Sequence, residues 1–231
     1  MSVHNWYSLI PKKYLDKDPV YPGFKKVRIK TPFRMILVGA SGSGKTNTLV
    51  DLIVATDGAF EEIHLFAKNT DQPIYRWLRD TLKDTDLITH EIDEIPAIDE
   101  IPLKPALYIF DDLICEGKEV FRRISDLYVQ GRHKKVSCMF LTQKFFGGVK
   151  TKIIRENTNY IVLKKIPSIK DLECLVSEYS LGEYSSEQLS QLHAAIVSKG
   201  FENFLLLDLE TNDPKLRYRF NFGVEPLPKI G

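Results

Sequence analysis

The strongest chemical pattern in this sequence is a glycine-rich segment that ends in a lysine and a threonine. Four residues separate Gly39 from Gly44, Lys45 and Thr46, which is the spacing of a phosphate-binding loop, or P-loop (Walker A motif). Its glycines permit a tight turn that points backbone N–H groups at phosphate oxygens. Lys45 is expected to reach the β- and γ-phosphates of ATP, and Thr46 to offer its hydroxyl to Mg²⁺. The predicted nucleotide-binding residues are Gly39, Ala40, Ser41, Gly42, Ser43, Gly44, Lys45 and Thr46.

The segments on either side of this loop have the patterns of the two elements that must hold it. The apolar run at 35–38 predicts a strand, and residues 46–55 predict a helix. The positive N-terminal end of that helix would add to the attraction for phosphate. Alone, the motif indicates binding of a nucleoside triphosphate, and it fits a kinase, a GTPase, a transporter or a motor equally well.

A pair of carboxylates provides the second chemical pattern. Asp111 and Asp112 follow the continuous apolar run at 106–110, which is typical of a buried parallel strand. Asp111 is predicted to hold Mg²⁺ through water, which is the Walker B role, and Asp112 to orient the attacking water. The alternative is that both acids only cap the next helix.

A third pattern lies at the end of another apolar run, at 136–143. This run ends in Gln143, and the loop and the carboxylates also follow predicted strands. Ligands of open α/β sheets bind at the carboxyl ends of the strands, so these groups are expected to meet there. Gln143 is therefore predicted to bind the γ-phosphate or its attacking water, with a plain surface amide as the alternative.

Length and composition favour one α/β domain preceded by an arm. The chain has 231 residues, of which 43% are hydrophobic, and a formal net charge of +1. We expect an N-terminal arm at 1–31 and a single ATPase domain at 32–231. No run is long and apolar enough for a membrane span, and no signal segment is evident, so a protein that is not secreted is expected. Contacts to nucleic acid would have to come from local basic clusters.

Several further segments carry structural predictions. A helix at 73–82 is predicted to bury Ile74, Trp77, Leu78 and Leu82, and the acidic stretch at 84–103 is predicted to be a loop. Residues 144–148 indicate a flexible basic and aromatic loop that is a candidate for facing DNA. Residues 204–207 and 216–222 predict a C-terminal β-hairpin.

The ordered set of motifs resembles the FtsK–HerA superfamily of DNA-pumping ATPases. Besides the P-loop and the acidic pair, the set includes Arg132 shortly before the strand that ends in Gln143, and then Arg155. Within the superfamily, the chain looks most like the poxvirus-type genome-packaging ATPases of large DNA viruses and related elements. The resemblance covers about residues 30–165.

This resemblance implies a fold, an activity and partners. The fold would be a RecA-like P-loop NTPase of the ASCE type, with a mostly parallel sheet of core strand order 5-1-4-3-2. The activity would be ATP hydrolysis coupled to movement of double-stranded DNA into a capsid. The partners would be DNA, identical subunits in a pentameric or hexameric ring, and a capsid or vertex protein, in the virion or at an assembly site in the host cytoplasm. Arg132 would be an arginine finger for the neighbouring subunit, and Arg155 is the second candidate.

One departure from the superfamily pattern keeps alternatives open. Members commonly carry Asp-Glu where this chain has Asp111-Asp112, and the shorter side chain reduces the reach to water; Glu116 is a candidate for compensation. The alternatives are another DNA-translocating or helicase-like ATPase, a non-hydrolysing nucleotide-dependent assembly scaffold, and a small-molecule kinase. The kinase is disfavoured because residues 144–200 contain no arginine-rich lid.

Overall fold

The structure of the chain is a computed structural model. The structure describes residues 5–11, 13, 21–82, 85–113, 116–146, 149–180, 184–224 and 227. Gly147 and Gly148, which belong to the predicted flexible loop, lie outside the described residues, as does most of the arm before residue 21.

A single eight-stranded sheet forms the centre of the described structure. Its strands are β1 Arg34–Val38, β2 Glu62–Ala67, β3 Asp86–His90, β4 Ala106–Asp111, β5 Val136–Thr142, β6 Tyr160–Leu163, β7 Leu205–Asp208 and β8 Tyr218–Phe220. They are arranged in the order β3-β2-β4-β5-β1-β6-β7-β8. The pairings from β3 to β6 are parallel, whereas β7 pairs antiparallel with both β6 and β8.

This topology confirms the predicted fold. The five predicted strands are β1, β2, β4, β5 and β6, and they lie in the expected order 5-1-4-3-2 when counted without β3. The C-terminal hairpin is also confirmed, as β7 and β8. The structure is thus a RecA-like α/β fold with a mostly parallel sheet.

Eight helices are described around the sheet. They are α1 Phe24–Val27, α2 Lys45–Ala55, α3 Pro73–Thr81, α4 Lys118–Gln130, α5 Val149–Glu156, α6 Ile169–Tyr179, α7 Ser186–Val197 and α8 Pro214–Arg217. Short 3-10 helices cover Trp6–Leu9, Ile98–Glu100 and Gly131–Lys134.

The core lies on both faces of the sheet. Alternate residues of β1 point to opposite faces, with Ile36 and Val38 in one apolar cluster and Met35 and Leu37 in the other. All five residues of β1 are buried, as a parallel strand between two helical layers requires. The sheet therefore holds the start of the P-loop on a strand that is packed from both sides.

Two predictions about the segment after β2 were wrong. Part of the acidic stretch forms the edge strand β3 instead of a loop. In α3, Trp77 is exposed by 53%, while Tyr75 and Leu78 are buried. The apolar face of this helix is therefore centred on Tyr75, and that change places a phenolic hydroxyl in the interior.

Candidate nucleotide site

The P-loop connects β1 to α2, as the sequence predicted. Gly42 and Gly44 have φ angles of 71° and 83°, which is the left-handed region that glycine adopts without a steric penalty. Gly39 permits a close approach instead, because a Cβ atom there would lie 2.6 Å from Cβ of Lys164. Glycine is thus required by the backbone conformation at positions 42 and 44 and by close packing at position 39.

The loop fits a phosphate group. Within the described residues, the N–H groups of Gly42 and Gly44 make no hydrogen bond to another residue. The hydroxyl of Ser43 is buried in the loop and has no partner among the described residues either. The N-terminus of α2 directly follows the loop. Together with it, these donors form a concave anion site of the type that binds the phosphates of a nucleotide.

Lys45 lies at the first position of α2, and its ammonium group folds back over the loop. Its Nζ donates hydrogen bonds to the carbonyl oxygens of Gly39 and Ala40, each at 3.0 Å. Burial lowers the pKa of Lys45, and the charges of Asp111 and Asp112 oppose that shift. The cation is therefore placed between the loop and the acidic pair, where a triphosphate and its metal ion would have to bind.

Asp111 is the last residue of β4, and a tyrosine fixes its carboxylate. The hydroxyl of Tyr75 donates a hydrogen bond of 2.6 Å to Oδ2 of Asp111. Burial raises the pKa of Asp111, and the hydrogen bond from Tyr75 lowers it. Burial and Asp111 raise the pKa of Tyr75 and Thr46 lowers it, so the two predicted Mg²⁺ ligands act on one neighbour. Sequence reasoning missed Tyr75, and its place two residues after the start of the predicted helix was the only available signal.

Asp112 and Gln143 come together at the ends of β4 and β5. The Nε2 atom of Gln143 donates a hydrogen bond of 3.1 Å to Oδ2 of Asp112. Asp112 has a φ angle of 56°, and its N–H donates to the carbonyl of Leu141 at 3.0 Å. The β5 strand thus anchors both the backbone and the side chain of Asp112, and this pair can bind one water molecule between an acceptor and an amide.

Arg132 lies away from these groups. It belongs to the 3-10 helix that precedes β5, so it is at the amino edge of the sheet, whereas the P-loop follows the carboxyl end of β1. Its side chain is 56% exposed and forms an ion pair of 2.9 Å with Glu210. The structure does not bring Arg132 to the P-loop of its own chain, and its role as an arginine finger stays a prediction.

Arg155 is held by aromatic rings. Its guanidinium lies 4.6 Å from the ring centroid of Phe146 and 5.4 Å from that of Phe145. Phe145 is only 3% exposed and also packs on Tyr179, so this part of the predicted flexible loop is instead core. The other candidate, Glu116, forms an ion pair of 2.7 Å with Lys68. The catalytic roles suggested for Arg155 and Glu116 stay predictions.

One family model matches part of this chain. The model of the family described as Poxvirus A32 protein matches residues 24–79, which include the P-loop. No curated protein sequence matches the chain significantly. No helix in the described part of the chain has both the length and the apolar character needed to cross a bilayer.

Three solved structures are similar to the chain at low sequence identity, and the first of them shows the same fold. The cytoplasmic domain of the type VII secretion ATPase EccC from Thermomonospora curvata has a TM-score of 0.51 and 13% identity, over 80% of this chain and 25% of that one. The genome packaging NTPase B204 of Sulfolobus turreted icosahedral virus 2, in complex with AMPPCP, has a TM-score of 0.49 and 13% identity. The match covers 84% of this chain and 98% of the B204 chain. EssC from Geobacillus thermodenitrificans has a TM-score of 0.46 and 11% identity. The match covers 67% of this chain and 35% of the EssC chain. The chain thus spans 35% of the EssC chain and 25% of the EccC chain.

The family match covers the segment that carries the P-loop and α3, and the sheet has the strand order that the resemblance implied. The family match confirms the predicted resemblance to the poxvirus-type packaging ATPases.

Proposed function

We propose that this protein hydrolyses ATP in the presence of Mg²⁺ and uses the energy to move double-stranded DNA into a viral capsid. The observation that carries the proposal is the contact of 3.1 Å between Gln143 and Asp112, next to a P-loop whose lysine lies near the same carboxylates. A site that only bound nucleotide would not need an acceptor and an amide placed together to hold water.

The residues have distinct proposed roles in hydrolysis. Backbone N–H groups of the P-loop and Lys45 bind and orient the phosphates. Thr46, and Asp111 through water, would hold Mg²⁺, which would neutralise charge on the phosphate oxygens. Asp112 accepts hydrogen bonds from the water that attacks, and Gln143 orients that water. Tyr75 keeps the Asp111 carboxylate in one orientation through its hydrogen bond of 2.6 Å.

Assembly into a ring is part of the proposal. Arg132 lies at the opposite edge of the sheet from the P-loop of its own chain, so it acts on a nucleotide only if another copy brings it there. A homo-oligomeric ring of five or six subunits, with DNA in its channel and a capsid or vertex protein as its docking partner, provides that arrangement. Such a ring would work in the virion or at the assembly site in the host cytoplasm.

Steady-state phosphate release by the purified full chain, with and without duplex DNA at low salt, tests this function. We expect Mg²⁺-dependent turnover that duplex DNA stimulates, because contacts to the phosphate backbone bind DNA without reading its sequence. Lys45→Ala should abolish turnover, since it removes the charge that binds the β- and γ-phosphates. Lys170→Ala is a suitable control, because Lys170 is an exposed lysine on α6, outside the P-loop.

Three results would contradict the proposal. Turnover that persists in Lys45→Ala would show that the activity is not that of the P-loop. Duplex DNA that neither binds nor stimulates turnover would exclude a DNA motor. Binding of ATP with oligomerisation but no phosphate release would favour the nucleotide-dependent scaffold.

A further inference from the structure

An exposed aromatic ring lies beside the P-loop on the side away from the carboxylates. Phe201 follows α7 and precedes β7, and it is 66% exposed. A Cβ atom built on Gly44 would lie 2.9 Å from Cδ2 of Phe201 and 2.8 Å from its carbonyl oxygen. Phe201 is therefore in direct contact with the last glycine of the P-loop, while most of its ring remains open to solvent.

A buried lysine holds the backbone of Phe201 in this position. Lys164 follows β6, is only 1% exposed, and donates a hydrogen bond from its ammonium group to the carbonyl of Phe201. The backbone of Lys164 is fixed too, because its N–H donates to the carbonyl of Val38 at 2.9 Å and its carbonyl faces Nε2 of His193 at 2.8 Å. Burial lowers the pKa of Lys164 to about 8, although the nearby charges of Asp51 and Glu202 oppose the shift.

The order of the strands shows which end of a nucleotide faces Phe201. The water-binding pair and Asp111 come from β4 and β5, which lie on one side of β1. Lys164 and Phe201 belong to the ends of β6 and β7, on the other side of β1. Hydrolysis requires the γ-phosphate to face Asp112, and the base is at the opposite end of the nucleotide from that phosphate. A nucleotide bound in the P-loop must therefore extend its base toward β6 and β7.

We propose that Phe201 is the nucleobase contact of this site, and that Lys164 is the residue that positions it. This inference rests on the proposed ATP site. The exposed ring offers a flat apolar surface on which a purine stacks, and such stacking does not depend on hydrogen bonds to the edge of the base. The contact thus contributes affinity for the base and leaves binding of the phosphates to the P-loop.

Equilibrium binding of two ligands to the full chain separates these contributions. One ligand is the Mg²⁺ complex of a non-hydrolysable ATP analogue, and the other is the Mg²⁺ complex of tripolyphosphate, which lacks base and sugar. We expect Phe201→Ala to weaken binding of the ATP analogue by about 10-fold, since base–aromatic stacking is lost. Binding of tripolyphosphate should not change. Trp77→Ala is the matched control, because Trp77 is another exposed aromatic residue, on α3, and it should affect neither ligand.

Two further variants test the stacking and the positioning separately. Phe201→Trp should keep the affinity for the ATP analogue, and the emission of the new tryptophan should be quenched by the analogue but not by tripolyphosphate. Lys164→Met removes the donor to the Phe201 carbonyl while it retains a long apolar side chain. It should reproduce the selective loss of affinity for the ATP analogue.

The outcomes distinguish failure of this inference from failure of the proposed function. Equal weakening of both ligands by Phe201→Ala, or weakening of neither, would overturn the base contact and leave the ATP site intact. Equal affinity of the unmodified protein for tripolyphosphate and the ATP analogue would have the same meaning. An unmodified protein that binds neither ligand would overturn the proposed ATP site, and the base contact with it.

Discussion

The two edges of the central sheet differ in whether the candidate site residues of one chain lie together. At the carboxyl edge, the P-loop, Asp111, Asp112 and Gln143 come from three neighbouring strands and contact one another or a shared neighbour. At the amino edge, Arg132 is exposed and paired with Glu210. The seven residues of β5 separate the two edges by about 20 Å, at about 3.3 Å per residue. An arginine side chain does not span that distance.

This difference shows how the proposed catalytic work is divided. On the proposed assignment, one chain supplies phosphate binding, the metal ligands and the position of water. Arg132 of a second copy then supplies the positive charge that stabilises the transferring phosphoryl group. Substitutions at the carboxyl edge should therefore act in any assembly state, whereas a substitution of Arg132 should act only in the ring.

Apart from the loss of turnover expected for Lys45→Ala, the largest expected effect in the assembled protein comes from Arg132→Ala. It should reduce turnover by about 10³- to 10⁵-fold, as loss of an arginine finger does in other NTPases, and leave affinity for ATP largely unchanged. Arg122→Ala is the matched control, because Arg122 is also exposed and ion-paired but lies on α4. Turnover and assembly state should be measured together over a range of protein concentrations. If the dissociated chain hydrolysed ATP at the full rate, with or without Arg132, the proposal that a second copy completes the site would be contradicted.

Asp112→Asn is expected to have the next largest effect, at the carboxyl edge. It should reduce turnover by about 10²- to 10⁴-fold, because the amide cannot act as a base for the attacking water. Affinity for ATP should persist, since Lys45 and the P-loop are unchanged. Asp112→Glu is the control, because it keeps the carboxylate and adds the methylene group that related ATPases commonly have. If Asp112→Asn and the unmodified protein had equal turnover, another residue would have to activate the attacking water.

Tyr75→Phe tests whether the carboxyl edge depends on the hydrogen bond from α3. The substitution removes the donor to Asp111 and keeps the buried ring. Loss of a hydrogen bond that orients a metal ligand typically costs about 10- to 100-fold in metal affinity, and we expect the lower end of that range for Mg²⁺. Tyr108→Phe is the control, because it removes a hydroxyl from a buried tyrosine on the same strand as Asp111. An unchanged Mg²⁺ dependence of turnover would show that Tyr75 has a packing role only.

The sequence predicted the carboxyl edge well because its signals are local. A P-loop is defined by spacing, and the apolar runs of β4 and β5 are continuous because both faces of those strands are buried. The strand order and the hairpin followed from a family resemblance and from turn residues. The proposed roles of the individual site residues remain to be tested by experiment.

The features that the sequence did not predict depend on contacts between distant segments. Tyr75 and Trp77 are two positions apart, and only the packing of α3 on the sheet decides which of them is buried. Phe145 is in the core because Arg155 and Tyr179 cover it. The strand β3 has one buried residue, Leu87, so it lacks the apolar run that identified the other strands.

The packing of β3 leads to the smallest expected effect, which is on stability and not on the site. Nδ1 of His64, on β2, lies 2.9 Å from Nε2 of His90, on β3. Burial lowers the pKa of both histidines, so the folded protein binds their protons less readily than the unfolded chain does. Their contribution to stability is therefore fully present above the unfolded pKa of about 6.5, and it is lost as the pH falls below that value.

The free energy of unfolding in urea, measured at about pH 7.5 and pH 5.5, tests this packing at the edge strand. The unmodified protein should lose stability on acidification by on the order of 1 kcal/mol from this pair. His64→Phe retains an aromatic ring against Tyr108, which stacks on His64 with centroids 4.5 Å apart, and should reduce the loss. His193→Phe is the comparison, because His193 is also buried with a lowered pKa but lies on α7, beyond β6. If His64→Phe leaves the pH dependence unchanged, the pair at the β2–β3 edge does not sense protons. In that case the acid sensitivity belongs to groups elsewhere in the fold, and β3 contributes only backbone pairing to the sheet.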